Sequence, residues 1–140
     1  MAEALIRQRI EDWVKALRAK DIDGVMSLYA PDLVSFDLAP PLRYVGVDGK
    51  RRAWQEVLAR FRGPFGYEVS DLHVATHGEL AFAHSLNQVN GTLPDGQVIG
   101  RWVRWTAGFR RIDGAWFVEH DHVSVPVDPM RGQALLNLTP

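Results

Sequence analysis

VIGRWVRWTAGFRRIDGAWFVEHDHVSVP, residues 98–126, decides how this chain folds. Two runs rich in Val, Trp, Phe and Thr flank Asp113-Gly114, and Asp-Gly between such runs is the strongest short-range hairpin signal. A two-residue turn sets Ile112 opposite Ala115, and the pairing counts outward from there. One face then carries Phe109 with Val118, Ala107 with His120, Trp105 with His122, and Val103 with Ser124. The other carries Arg110 with Phe117, Gly108 with Glu119, Thr106 with Asp121, Arg104 with Val123, and Trp102 with Val125. Both faces mix large rings with charges and hydroxyls, so the hairpin is expected to be covered on both sides. A one-residue bulge would carry one strand's residues to the opposite face, which leaves open which set lines the interior.

The totals bound what such a hairpin can belong to. At 140 residues the chain fits one domain, 1–140, with a real core. A formal net charge of -1 argues against a nucleic-acid partner or an acidic membrane surface. The absence of cysteine excludes disulfides, thiolate metal sites and cysteine nucleophiles. Glu3, Arg7, Arg9, Glu11 and Asp12 interrupt the apolar residues near the start, and no stretch reaches membrane-spanning length. A cytoplasmic domain is the expectation.

Upstream of the hairpin, Leu5, Ile6, Ile10, Trp13, Val14 and Leu17 recur at helical spacing and predict an amphipathic helix over 3–19. Asp21 is a natural N-cap for a short helix over 22–29, ended by Pro31. Residues 33–37 form a β-prone run, and Ala39-Pro40-Pro41 forces an extended loop. A third helix is predicted over 50–61, with Ala53, Trp54, Val57, Leu58 and Phe61 on one side and Gly63-Pro64 as its stop. From Phe65 the period changes to two, giving strands over 67–76, 80–92, 97–112 and 115–125 with turns at His77-Gly78, Pro94-Asp95-Gly96 and Asp113-Gly114. Residues 128–140 read as an irregular tail packed through Leu135, Leu136 and Leu138. Helices followed by long antiparallel strands make an α+β order. A bent sheet over a helix layer leaves a hollow suited to a small molecule.

Three strings, DIDGVMSLYAPDLVSFD (21–37), RYVGVDGKRRAWQEVL (43–58) and WTAGFRRIDGAWFVEHDHVSVP (105–126), resemble the SnoaL-like and ketosteroid-isomerase-like branch of the nuclear-transport-factor-2-like superfamily. The resemblance covers nearly the whole chain. It implies a cone-shaped, curved antiparallel sheet packed on three N-terminal helices, a pocket between the two layers, and a homodimer built on the outer face of the sheet. It does not imply one reaction, because this fold hosts many. In ketosteroid isomerase an Asp base works with an oxyanion hole made of a Tyr and a protonated Asp. By the resemblance, the base falls on Asp37 and the Tyr on Trp13, whose indole N–H still donates. The protonated Asp falls within a residue of Ala107 or Gly108, neither of which is an acid. These departures argue against steroid isomerisation of that type.

Asp37 follows an apolar strand and precedes a proline-locked loop. It reads either as a general base in an aromatic hollow or as the cap of its own turn. Arg104, Thr106 and Asp121 share one face in the pairing above, where Arg104 would hold an enolate or carboxylate oxygen; a structural ion pair reads equally well. His84 is either an acid–base partner for Asp37 or a hydrogen-bonded histidine among apolar neighbours. His120 and His122 project to one side, with His73 and His77 on or beside another strand, but no metalloenzyme spacing accompanies them. No metal and no cofactor is expected. If the pocket lies on the Arg104 face, His120 and His122 share the opposite, outer face with Trp105 and Trp116, which then reads as a dimer seam; the other register would bring His122 into the pocket and take Arg104 out. The sequence thus points to a domain that binds a small, largely apolar or aromatic oxygenated molecule. Its catalytic candidates are Asp37 and His84, and its binding candidates are Trp13, Arg104, Thr106 and Asp121. The chemistry would be cofactor-free isomerisation, cyclisation or dehydration, or hydrolysis by a water activated between Asp37 and Arg104; the rival is a non-catalytic ligand-binding or dimeric assembly module.

Overall fold

Helix α1 spans Ala2–Arg18 and buries Ile6, Ile10, Trp13, Val14 and Leu17 of the apolar stripe read from the sequence, while Leu5 of that stripe stays exposed. The computed structural model describes all 140 residues. Helix α2, Ile22–Met26, starts where the Asp21 carboxylate accepts the Gly24 N–H at 3.1 Å. The chain then enters strand β1, Tyr29–Phe36, sooner than the periodicity suggests. Pro31 lies inside this strand, where the pairing with its neighbour is irregular, as a residue without an N–H must. A short β2, Tyr44–Val45, precedes helix α3, Asp48–Arg60. Four long strands follow: β3 (Arg62–His77), β4 (Leu80–Thr92), β5 (Val98–Ile112) and β6 (Ala115–Ser124). β3 begins at Arg62 and runs straight through Gly63-Pro64, which ends α3 without leaving a loop.

The six strands form one sheet in the order β2-β1-β6-β5-β4-β3. β1 lies parallel to β6 while the other pairs are antiparallel, so the sheet is mixed rather than wholly antiparallel. Register shifts in β3 at Ser70/His73 and at Arg62/Phe65 bend it, as extra residues on one strand do. The sheet curls over α1 and α3 without closing. At its β3 edge the Tyr67 carbonyl accepts from Arg18 and the Leu72 carbonyl from Arg7, so part of the exposed edge is covered. The tail adds only a two-residue pairing, Val127–Asp128 with Gln133–Ala134; Leu135 and Leu138 are exposed and only Leu136 is half-buried.

The β5–β6 hairpin turns at Asp113-Gly114 with φ of 50° and 83°, the pair of left-handed residues that a type I′ turn requires. Ile112 faces Ala115, Arg110 faces Phe117 and Phe109 faces Val118, as counted from the turn. Glu119 is then an extra residue: Gly108 pairs with His120, Ala107 with Asp121, Thr106 with His122 and Trp105 with Val123. This bulge corrects the expected faces beyond Phe109. Asp121 joins Trp105 and Ala107 on the concave side. Arg104, Thr106, His120 and His122 share the convex side. Trp105 and Trp116, expected in an outer seam, are each 2% exposed in the core.

Candidate active site

Between α3 and the concave face lies a cavity of about 240 Å³. Its walls are mostly apolar, with Trp13 from α1, Trp54 and Val57 from α3, and Val89, Val103 and Trp105 from the sheet. Trp13 stacks on Trp105 with ring centroids 5.1 Å apart and meets the edges of Trp54 and Tyr67. A larger groove of about 730 Å³ runs along α1 and β3, but it is open and rimmed by Arg7, Glu11, Lys15 and Arg18. The enclosed aromatic hollow is the better site for a small molecule.

One charged cluster faces this hollow. The Lys50 ammonium donates to Asp37 Oδ2 at 2.9 Å and lies 3.8 Å from Asp121 Oδ2. The Lys50 and Asp121 side chains are each 1% exposed, whereas that of Asp37 is 24% exposed. Lys50 also sits 5.8 and 5.9 Å from the ring centroids of Tyr29 and Trp54, within cation–π range. Asp121 is held from the other side by the Ser35 hydroxyl and by the Trp105 indole N–H at 3.2 Å. Fully buried and bonded once on each oxygen, it acts as a fixed counter-charge. Asp37 Oδ1 accepts the Leu38 N–H at 2.7 Å, and each of its oxygens keeps a further lone pair.

Neutral donors complete the lining. The Tyr67 hydroxyl accepts from Asn87 at 2.8 Å, and Asn87 is in turn fixed by Ser85 at 2.7 Å. With its accepting side filled, Tyr67 is left with a proton to donate. Burial raises the Tyr67 phenol above its ordinary value, with the Asn87 bond acting against it. Burial, reinforced by the negative charge of Asp121, raises Tyr29 as well; its oxygen accepts the Trp54 N–H at 2.9 Å. Both phenols therefore stay protonated at neutral pH; of the two only Tyr67 lines the hollow, while Tyr29 lies beside Lys50 and Trp54. The Trp13 indole N–H is buried with no acceptor in the protein, an uncommon state for a buried donor.

Of the residues singled out in the sequence, Trp13, Asp37 and Asp121 come together around the hollow. His84, Arg104 and Thr106 do not. His84 pairs with Thr106 on the convex face, is exposed, and stacks on His73 with centroids 5.0 Å apart, so the sheet separates it from Asp37. Arg104 is exposed and donates to the Ser124 hydroxyl at 3.0 Å. The same exclusion applies to a water activated between Asp37 and Arg104. Lys50, Tyr29 and Tyr67 were missed. Lys50 had a signal: it stands three and four residues before Ala53 and Trp54, on the stripe of α3 that should be apolar. His120 and His122 both lie beside the edge-on ring of Phe36, and His120 Nδ1 is bonded to the Val34 carbonyl at 2.7 Å.

A model of the SnoaL-like domain matches residues 6–128, and the chain belongs to that family. Its structure is similar to a nuclear-transport-factor-2-like protein of unknown function from Pseudomonas putida KT2440, at 37% identity over 99% of this chain and 96% of that one, with a TM-score of 0.89. It also resembles a putative dehydratase of the same fold family from Streptomyces avermitilis, at 19% identity over 89% of this chain and 95% of that one, with a TM-score of 0.76. A ketosteroid isomerase-like protein from Erwinia carotovora atroseptica matches at 23% identity over 86% and 93% of the two chains, with a TM-score of 0.72. The last two likenesses carry the fold alone. No curated protein matches the sequence significantly. No helix is long and apolar enough to cross a membrane.

Proposed function

We propose that this protein is a cofactor-free proton-transfer catalyst, an isomerase or dehydratase, acting on a small, largely apolar carbonyl compound. The observation that carries the reading is the half-buried Asp37 at the edge of an aromatic cavity, bonded to a lysine that a second, fully buried carboxylate holds in place. Asp37 takes a proton from the carbon next to the substrate carbonyl. Its negative charge is thereby transferred to the enolate oxygen, Asp37 becomes neutral, and Lys50 keeps Asp121 as its counter-charge through the step. The Tyr67 O–H on the cavity wall is the neutral donor for that oxygen. Returning the proton to another carbon completes an isomerisation. Returning it to a departing β-hydroxyl releases water and completes a dehydration. Fold relatives described as a dehydratase and as ketosteroid isomerase-like are consistent with either.

The reading is tested by incubating the protein with 2-tetralone and related cyclic ketones in D₂O and following loss of the α-proton signals by NMR. Exchange should exceed the buffer rate in proportion to protein concentration. Thermal stabilisation by the same ketones with no exchange would instead establish a binding module.

A homodimer through the convex face is part of the proposal. The register across the sheet places His73, His84, Thr106, His122 and Phe36 in one row over five strands. Phe36 and Phe82 stand 37% and 54% exposed on this face, apolar rings that a partner copy would cover. Sedimentation should show a dimer for the wild type and a monomer for Phe82→Asp, with the melting temperature of the variant set by the loss of association alone. An unchanged dimer would put the seam elsewhere.

A further inference from the structure

The cavity-facing side of α3 carries a cation at each end. Lys50, Ala53, Trp54, Val57 and Arg60 follow one another at helical spacing and all line the hollow. From Lys50 to Arg60 the helix rises about 15 Å, so the site is a slot with an apolar middle. The two cations are not equivalent. Lys50 is buried and matched by Asp37 and Asp121. Arg60 is exposed at the rim, forms no salt bridge, and is the one guanidinium lining the cavity. Glu56 lies one turn before it on the same rim yet does not pair with it. Arg51, one turn of α3 from the other end, shows the contrast, since it pairs with Asp23 at 2.8 Å.

This arrangement polarises the slot. An anion pushed to the inner end would meet two carboxylates sharing one lysine and be repelled. At the rim it would meet a guanidinium with free donors in a fork that fits a carboxylate. Resting on the reading of the hollow as a carbonyl-binding site, we propose that Arg60 is a specificity residue that anchors the carboxylate of an elongated substrate. That substrate is an aromatic or alicyclic carboxylate whose neutral carbonyl, at the end away from the carboxylate, lies between Asp37 and the Tyr67 hydroxyl. The carboxylate fixes which end enters first and so which carbon meets Asp37.

Two probes of one shape separate the anchor from the cavity: 6-hydroxy-2-naphthoate and its neutral counterpart 2-naphthol, titrated against the fluorescence of the cavity tryptophans. The wild type should bind the naphthoate about tenfold more tightly than 2-naphthol, the scale of one charge-assisted contact. Arg60→Gln should abolish that preference and leave 2-naphthol affinity unchanged, and Arg60→Lys should keep part of it. Equal affinities in the wild type, or a variant that weakens both probes alike, would overturn the anchor while leaving the cavity reading standing. If 2-naphthol itself does not bind, the anchor and the hollow as a ligand site fall together.

Discussion

Asp37→Asn should slow proton abstraction by about 10²–10⁴-fold, the usual contribution of a positioned general base, while the protein stays folded. The two halves of that expectation rest on different contacts. The amide is nearly the shape of the carboxylate, and its oxygen can still accept the Leu38 N–H or the Lys50 ammonium, each of which now reaches one Asp37 oxygen. Asp37 is also the partly exposed member of the cluster, and Lys50 keeps the Asp121 charge at 3.8 Å, so the fold should survive the loss of its charge. What the amide cannot do is take up a proton at neutral pH. Exchange at the α-carbon of a bound ketone, read by NMR with thermal unfolding alongside, separates the effects. A variant that exchanges as fast as the wild type would remove Asp37 from the chemistry, whatever its position. A variant that unfolds near room temperature would show that the carboxylate belongs to the scaffold.

Much of the frame behind these residues could be read directly from the chain. Helical periodicity placed the buried face of α1, and the Asp113-Gly114 turn placed the tight end of the hairpin. Alternation bounded β4 at Leu80–Thr92. What could not be read is non-local. The bulge at Glu119 lies beyond the turn, in the part of β6 that also pairs with β1, and no property of Glu119 or Gly108 announces it. That single inserted residue exchanged the faces: it brought Asp121 beside Trp105 and put Arg104 and Thr106 in solvent. His84 was misplaced for a related reason. It alternates with residues that are apolar on both sides of β4, so the strand alone does not tell concave from convex. Asp37 and Trp13 came from the family resemblance, which carries positions along whole elements and is insensitive to one-residue slips elsewhere. The parallel pairing of β1 with β6, which aligns Ser35 with Asp121, joins residues 86 positions apart. Lys50 is the instructive omission, because a charge on an apolar stripe is legible as soon as one asks what it would pair with.

Lys50→Met should cost about 3–5 kcal/mol of unfolding free energy, the range found when one member of a buried ion pair is removed. The methionine fills much the same space against Tyr29 and Trp54. The loss is therefore electrostatic: Asp121, 1% exposed, keeps only the Ser35 hydroxyl and the Trp105 N–H, and its charge has no counter-ion. Removing that charge as well should recover most of the loss. Lys50→Met/Asp121→Asn leaves a neutral amide whose oxygen can accept the Trp105 N–H while its NH2 donates to a reoriented Ser35 hydroxyl, so the double variant should be more stable than Lys50→Met alone. Urea unfolding of the wild type, both single variants and the double variant yields the coupling between the two sites directly. If the two single losses simply add, Lys50 and Asp121 do not stabilise each other, and the buried aspartate cannot be what holds the lysine against Asp37. If they couple as expected, the folding of the cavity and the placement of its base depend on the same buried pair.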